Sequence, residues 1–405
     1  MQKFVCHTPF YSSVEQRWFN RGDWCLIENN NVLREDAKQP STGPSLEQFG
    51  TWHDFTFAEF APMLDWNKLK PGDRVLVHRI GGIGDITHAM PIVTELAERG
   101  AVIEFCYKQD YKIIEPFLFP PGCQYSVRSR QSYGVIPVEA DWTVNLESCV
   151  EANMKPVPVL DLYLERTKNP PEALLDPANR LQGGKYITQA RANISAYLEA
   201  NPPGDHETYD VIIASYASAP VRSVQALDAL PDAFLRKHSC ALIGVPQPIH
   251  TAPLPVYNML EPARYYDLLM NAKLVVTADN GTSHIAYWLG LPMISIYAMI
   301  DWRARLYPAK HVCIVNCTDL CPMAPCWWQN MICPLLMAAN EQVRSCNALL
   351  YLASQKLAEL MEIRLKPGDK TFLEVAGKDL AGVPDFVFQR KGLRNADGSP
   401  YTPHA

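Results

Sequence analysis

The stretch TADNGTSHIAYWLGLPMISIY, residues 277–297, decides the fold. It follows the apolar run LVVTA (residues 274–278) and ends in a second apolar run, MISIY. Between them lie a polar turn, a short helical segment and a stop at Gly290, so the stretch reads as strand, turn, helix, glycine, strand. A helix starting near Thr282 leaves its first backbone N–H groups unpaired and carries partial positive charge there. Gly281 would let a ligand approach the backbone, and Thr282, Ser283 and His284 would add donors, which suits a phosphate or pyrophosphate. Asp279 would repel a phosphate but suits sugar hydroxyls, which donate to a carboxylate. A plainer reading is that Asp279, Asn280 or Thr282 only caps the helix.

The same alternation extends outward on both sides. Upstream lie a helix (residues 261–272), a strand (240–245), and the strand YDVIIAS followed by the turn SYASAPVRS, which holds Ser215, Ser218 and Arg222. Nearer the start, LKPGDRVLVHRIGGIGDITHAM reads as a turn, a strand over 74–80, a glycine-rich turn over 81–85 and a helix over 86–99. The strand AVIEFCY then completes a βαβ unit. The expected fold is α/β: two Rossmann-like domains that face each other across a cleft. An N-terminal appendage spans residues 1–70, with a hairpin near residues 29–31, and the first Rossmann-like domain spans 71–204. The second spans 205–320, followed by a cysteine-rich segment over 321–350 and a helix with a polar tail over 351–405. The hinge falls near Asn201 to Gly204. Ligands of open parallel sheets bind beyond the carboxyl ends of the strands, so the loops holding Asp85 and Asp279 are expected to line one cleft. Asp85 is either an N-cap or a base, and His88 either a second base or an ordinary core or surface histidine.

The bulk numbers exclude several classes. The 405 residues exceed one ordinary core, and 48% hydrophobic with 20% charged residues is globular. A net charge of −6 gives no footprint for nucleic acid or an anionic membrane surface. The longest apolar stretch, residues 288–300, is interrupted by Pro292 and falls short of the about 20 residues of a bilayer span. The opening MQKFVCHTPFYSSVEQ has no apolar signal region, so a cytoplasmic location is expected. The twelve cysteines would then be mostly thiols.

VLVHRIGGIGDITHAMPIVTEL together with AKLVVTADNGTSHIAYWLGLPMISIYAMIDWRARLYP resembles the ADP-heptose:lipopolysaccharide heptosyltransferase family of glycosyltransferases, over residues 70–320. Both share a Gly-Asp turn between strand and helix, then Asp-x-Gly-x-x-His and Gly-x-Pro, in the same order. The resemblance implies a GT-B fold, with 71–204 as the acceptor domain and 205–320 as the nucleotide-sugar domain, and an inverting, metal-independent transfer from a nucleotide-diphosphate donor, ADP-heptose first, to a hydroxyl of a glycan or protein. By that resemblance Asp85 is the base, and Gly84 beside it gives room for the substrate. Asp279 holds the donor sugar, Asn280 follows it in the donor-binding turn where many relatives have Ser or Thr, and the backbone of Gly281, Thr282, Ser283 and His284 cradles the pyrophosphate. Arg222 stands where the family has a phosphate-binding lysine, with Ser218 in the same turn. Arg303 and Arg305 either add positive field or are ordinary surface charges.

The chain also departs from the family pattern. Residues 71–200 hold 13 Lys and Arg against 16 Asp and Glu, which fits an acidic lipopolysaccharide acceptor poorly. The alternatives are a protein or nucleic-acid acceptor with the same chemistry, or a catalytically inactive sugar-nucleotide binding module with the cysteine region as an assembly surface; a homo-oligomer is open in each case. Six cysteines fall at 313, 317, 321, 326, 333 and 346 without a CxxC pair. Protein-modifying members of the family bind a metal at such a cluster. Cys321, Cys326, Cys333 and Cys346 are therefore candidate ligands of a structural zinc or iron, with packed thiols as the rival reading and no cofactor expected for catalysis.

Overall fold

A computed structural model describes residues 2–6, 10–12, 17–19, 24–27, 50–54, 61–79, 81–108, 112–130, 140–146, 150, 156–204, 207–217, 222–244, 254–257, 260–321, 324, 346–350, 352–368 and 370–382. The first sheet holds β1 (Arg74–His78), β2 (Val102–Lys108), β3 (Tyr125–Arg130) and β4 (Trp142–Asn145) in the order β3-β2-β1-β4. Every pairing in it is parallel. The second holds β5 (Val211–Ala214), β6 (Cys240–Ile243), β7 (Val256–Tyr257), β8 (Leu274–Ala278), β9 (Met293–Tyr297), β10 (Val312–Asn316) and β11 (Leu373–Ala376). It is also all parallel, in the order β7-β6-β5-β8-β9-β10-β11. Strands β5, β6, β8 and β9 are buried at every position, as strands covered on both faces must be. In each sheet the strand order reverses direction, at β1/β4 and at β5/β8, and such switch points open a crevice at the strands' carboxyl ends.

After β1 the chain forms α1 (Ile83–Thr87) and α2 (Met90–Glu98), not one helix. Pro91 is the cause. It has no N–H to give, and its ring would strike the carbonyl one turn back, so the helix restarts with Pro91 in its first turn. The later helices that matter are α3 (Lys185–Ala200), α4 (Pro262–Asn271), α5 (Gly281–Trp288) and α6 (Ser354–Leu365).

The two halves share a core. One buried cluster runs from Val75 and Phe105 through Tyr186 and Ile187 on α3 to Tyr287 and Trp288 on α5. The other lies on the far side of the second sheet, with Val211, Ile294, Cys313, Leu357 and Met361. Polar bonds also cross between the halves. Tyr266 donates to Ile113 O at 2.6 Å, Tyr287 to Arg180 O at 2.8 Å, and Arg180 to the Tyr307 hydroxyl at 2.8 Å.

Two expected boundaries move. Leu64 and Trp66 are buried in the shared core, and Leu64 takes a backbone bond from Lys168 and gives one to Thr143, so the appendage ends near residue 61 and not at 70. At the other end β11 pairs with β10 and α6 supplies core side chains, so residues 352–381 belong to the second sheet's domain. The hairpin turn expected near residues 29–31 lies outside the described residues; around it Gln2–Cys6 pairs antiparallel with Trp24–Ile27 and Gly50–Asp54.

Gly290 ends α5 at φ +61°, and a Cβ there would stand 2.7 Å from Ile187 Cγ2 on α3. Backbone strain and a clash between elements coincide at this residue. Gly290→Ala should cost roughly 1–3 kcal/mol, seen as a lower urea midpoint with unchanged slope.

Candidate active site

The expected loops meet. α1 packs against α5, and the contact depends on glycine. A Cβ on Gly84 would stand 2.4 Å from His284 Cδ2, and one on Gly281 would stand 3.0 Å from Ile83 Cγ2. Two helix N-termini, one from each half, thus approach as closely as backbone allows.

Asp85 sits in the first turn of α1, and its Oδ2 accepts from Gly82 N–H at 3.2 Å. The capping role read from the sequence is therefore present. It does not exhaust the side chain: Arg79 Nη2 lies 3.0 Å from Oδ2 and Arg305 Nη1 lies 3.5 Å from Oδ1. Tyr163 donates to the Asp85 carbonyl at 2.9 Å and so fixes the turn. Burial alone pushes the Asp85 carboxyl up, but the charges of Arg79 and then Arg305 outweigh it and hold it below the usual carboxylate range. Asp85 keeps 22% of its side chain exposed, whereas Asp279 keeps 5%, so Asp85 is the reachable carboxylate of the two.

Asp279 lies at the end of β8 and meets Arg222 Nη1 at 3.2 Å. Burial again acts upward on its carboxyl, and the Arg222 charge, with the His284 N–H aimed at it, draws it far down. His284 Nε2 faces Asp279 Oδ1 across 3.7 Å, and that oxygen is buried without a hydrogen-bond partner.

Several candidates act through structure. Asn280 is the N-cap of α5, its Oδ1 accepting from Ser283 N–H at 3.1 Å. Its amide donates to Ala214 O and Tyr216 O, both at 2.8 Å, tying the ends of β5 and β8 together at the switch point. Ser283 points into the sheet, 2.7 Å from Ser295 Oγ, and Thr282 Oγ1 accepts from Tyr265. Ser215 donates to Asp228 at 2.8 Å. These hydroxyls hold the turn. His88 is buried in the seam and is not an exposed base. Arg305 is buried and faces Asp85, while Arg303 is 60% exposed and pairs with Asp301. Ser218 lies outside the described residues.

Two contributors escaped the sequence reading. Arg79 is fully buried, and a Cβ on Gly81 would stand 2.6 Å from its Nη2, so Gly81 is small to let the guanidinium reach Asp85. An arginine closing an apolar strand just before a double glycine was the available signal. Tyr163 comes from a segment with no motif.

Of the proposed metal ligands, Cys326 and Cys333 lie outside the described residues. Cys321 and Cys346 are buried in the second core. Among the described residues no group of three or more His, Cys, Asp or Glu is arranged to hold a metal. Cys313 is buried in β10, and burial pushes its thiol up to about 12, as expected for a core cysteine. No helix among the described residues is long and apolar enough to cross a membrane.

No family model and no curated protein matches the chain. Several solved structures are similar to it. A glycosyl transferase family 9 protein from Veillonella parvula is 12% identical, with TM-score 0.46, over 75% of this chain and 99% of that one. E. coli heptosyltransferase WaaC with ADP is 14% identical, with TM-score 0.43, over 60% and 93%. The iron-containing dodecameric glycosyltransferase TibC of E. coli is 12% identical, with TM-score 0.38, over 77% and 76%.

Two predictions follow from this geometry. Gly84→Ala must displace His284, and loss of the α1–α5 seam should appear as a lower melting temperature than Gly82→Ala produces, since a Cβ on Gly82 meets only Asp85 Oδ2 at 3.8 Å. Asp279 titrates lower folded than unfolded, so its stabilisation is present above about pH 3.9 and is lost as pH falls through and below that value. Urea unfolding of Asp279→Asn from pH 6 to pH 2 should therefore show a shallower acid decline than the parent.

Proposed function

We propose that this protein is an inverting glycosyltransferase that moves a sugar from a nucleotide diphosphate to a hydroxyl acceptor, with Asp85 as general base. One observation carries the reading. The reachable carboxylate of one half, Asp85, stands at the N-terminus of α1 against the N-terminus of α5 from the other, at the switch points of both sheets.

In the transfer, the acceptor oxygen forms a bond to the sugar's anomeric carbon as the bond from that carbon to the diphosphate breaks. The acceptor proton passes to Asp85 and the electron pair leaves with the diphosphate. Asp85 is ionised at neutral pH and hence able to accept. It is a weak base, which suits a proton that leaves late, once the attacking hydroxyl has become acidic. In this reading the α5 amides and the Arg222 guanidinium would stabilise the negative charge that grows on the leaving group, which works best when such groups are pre-oriented. Holding both substrates between the halves supplies the rest through proximity.

The motif resemblance makes ADP-heptose the first donor to test, with a glycan or protein hydroxyl as acceptor. A structural zinc or iron at Cys321, Cys326, Cys333 and Cys346 belongs to the same proposal. It would brace the fold and take no part in the transfer, and metal analysis of purified protein tests it.

Asp85→Asn should lower turnover by about a hundredfold to ten-thousandfold while the donor dissociation constant, by calorimetry, stays within about twofold of the parent. Unchanged turnover in that variant would falsify the assignment of the base. In the parent, the acid limb of kcat should lie below about pH 3.9, because the arginines hold Asp85 ionised.

A further inference from the structure

A chain of three hydrogen-bonding side chains crosses the seam, and its direction is determined at one end. Trp288, the last residue of α5, places its indole Nε1 3.2 Å from His88 Nδ1. An indole N–H only donates, so His88 Nδ1 must hold a lone pair. A neutral His88 then carries its proton on Nε2, which lies 2.9 Å from His284 Nδ1. His284 Nδ1 must accept in turn, which leaves the His284 proton on Nε2, facing Asp279 Oδ1. A second proton on His284 Nδ1 would confront the N–H of His88 directly. All three rings are buried, at 0% exposure for Trp288, 1% for His88 and 5% for His284, so water cannot relieve the conflict. Burial also holds His88 on its neutral side, well below the ordinary histidine range.

The groups around the chain give the arrangement a purpose. Arg305 and Asp85 stand on the α1 side, and Asp279 with Arg222 at the end of β8. Asp279 Oδ1 is buried without a hydrogen-bond partner, and the His284 N–H is aimed at it from 3.7 Å, beyond direct hydrogen-bond length. A group bridging the two from the side, within hydrogen-bond reach of each, must accept from the imidazole and donate to the carboxylate. A hydroxyl can do both. A phosphate oxygen cannot, and the carboxylate would repel it.

We propose that His88 is a positioning residue which, braced by Trp288, locks His284 as a neutral imidazole whose Nε2–H and the Asp279 carboxylate together grip one hydroxyl of the donor sugar. The grip rests on the donor site proposed above; the tautomer lock does not. The lock also leaves His284 unable to act as a base toward the site, since the nitrogen facing it already holds its proton.

Long-range ¹⁵N–¹H spectra of histidine-labelled protein at pH 7 test the lock without any substrate. His88 and His284 should each show a protonated Nε2 and a bare Nδ1. A His284 that is Nδ1-protonated or doubly protonated overturns it. His88→Phe fills the space but gives His284 Nδ1 no donor. It should let the His284 tautomers mix and weaken ADP-heptose binding by about tenfold to a hundredfold, the worth of a hydrogen bond within a charged pair. ADP alone, which has no transferable sugar, should bind the variant within about twofold of the parent. His88→Gln keeps a donor toward His284 and should restore most of the sugar-dependent affinity. Equal losses for ADP and ADP-heptose in His88→Phe would overturn the hydroxyl grip. If His88→Phe does not fold, the parent spectra and His88→Gln still decide. Expected spectra in a protein that binds no nucleotide sugar would overturn the transfer reading and uphold the lock; sugar transfer with a wrongly protonated His284 would do the reverse.

Discussion

The site depends on the approach of α1 to α5 without intervening side chains at Gly84 and Gly281. A carbon atom on Gly84 would occupy the place of the His284 ring. Because it is absent, a histidine from one half reaches a histidine from the other, and the two sheets' switch points are held in one place. The shared core beneath, from Phe105 to Trp288, makes that approach a property of the folded chain and leaves little room for the seam to slide.

Around the seam the electrostatics are paired and mostly enclosed. Each carboxylate has its own guanidinium: Arg79 and Arg305 for Asp85, Arg222 for Asp279. Buried charges persist only when matched in this way, and removing one member leaves the other without compensation. The pairing also divides the labour. Asp85 stays partly open to a partner, whereas Asp279 is shut in with one oxygen still short of a hydrogen bond. The polar side chains at the start of α5 are drawn into holding the turn, with Asn280, Ser283 and Thr282 bonded to the neighbouring strands and to α4.

Much of this was legible in the amino-acid sequence, because apolar runs of strand length bounded by glycine, proline and polar turns leave few ways to form an α/β chain. The strand–turn–helix around Asp279 and the glycine-rich turn before Asp85 are local features, set by apolar runs that stop at polar or glycine residues and by capping at Asn280. The break at Pro91 was also local, yet the amphipathic pattern that runs through it hid it. The strand Leu373–Ala376 is short and half-exposed at a sheet edge, so it carries little periodic signal, and its membership in the second sheet rests on pairing with Val312–Asn316.

What the sequence determined by itself was the succession of elements and which turns had unusual chemistry, since both follow from the preferences of neighbouring residues. Only the tertiary structure decided partners. It set Arg79 rather than a surface lysine beside Asp85, turned Ser283 into the sheet and placed His88 between Trp288 and His284. The contacts of His88 join residues some 200 positions apart. They depend on how two sheets pack, a matter of volume and close contact that no local pattern records.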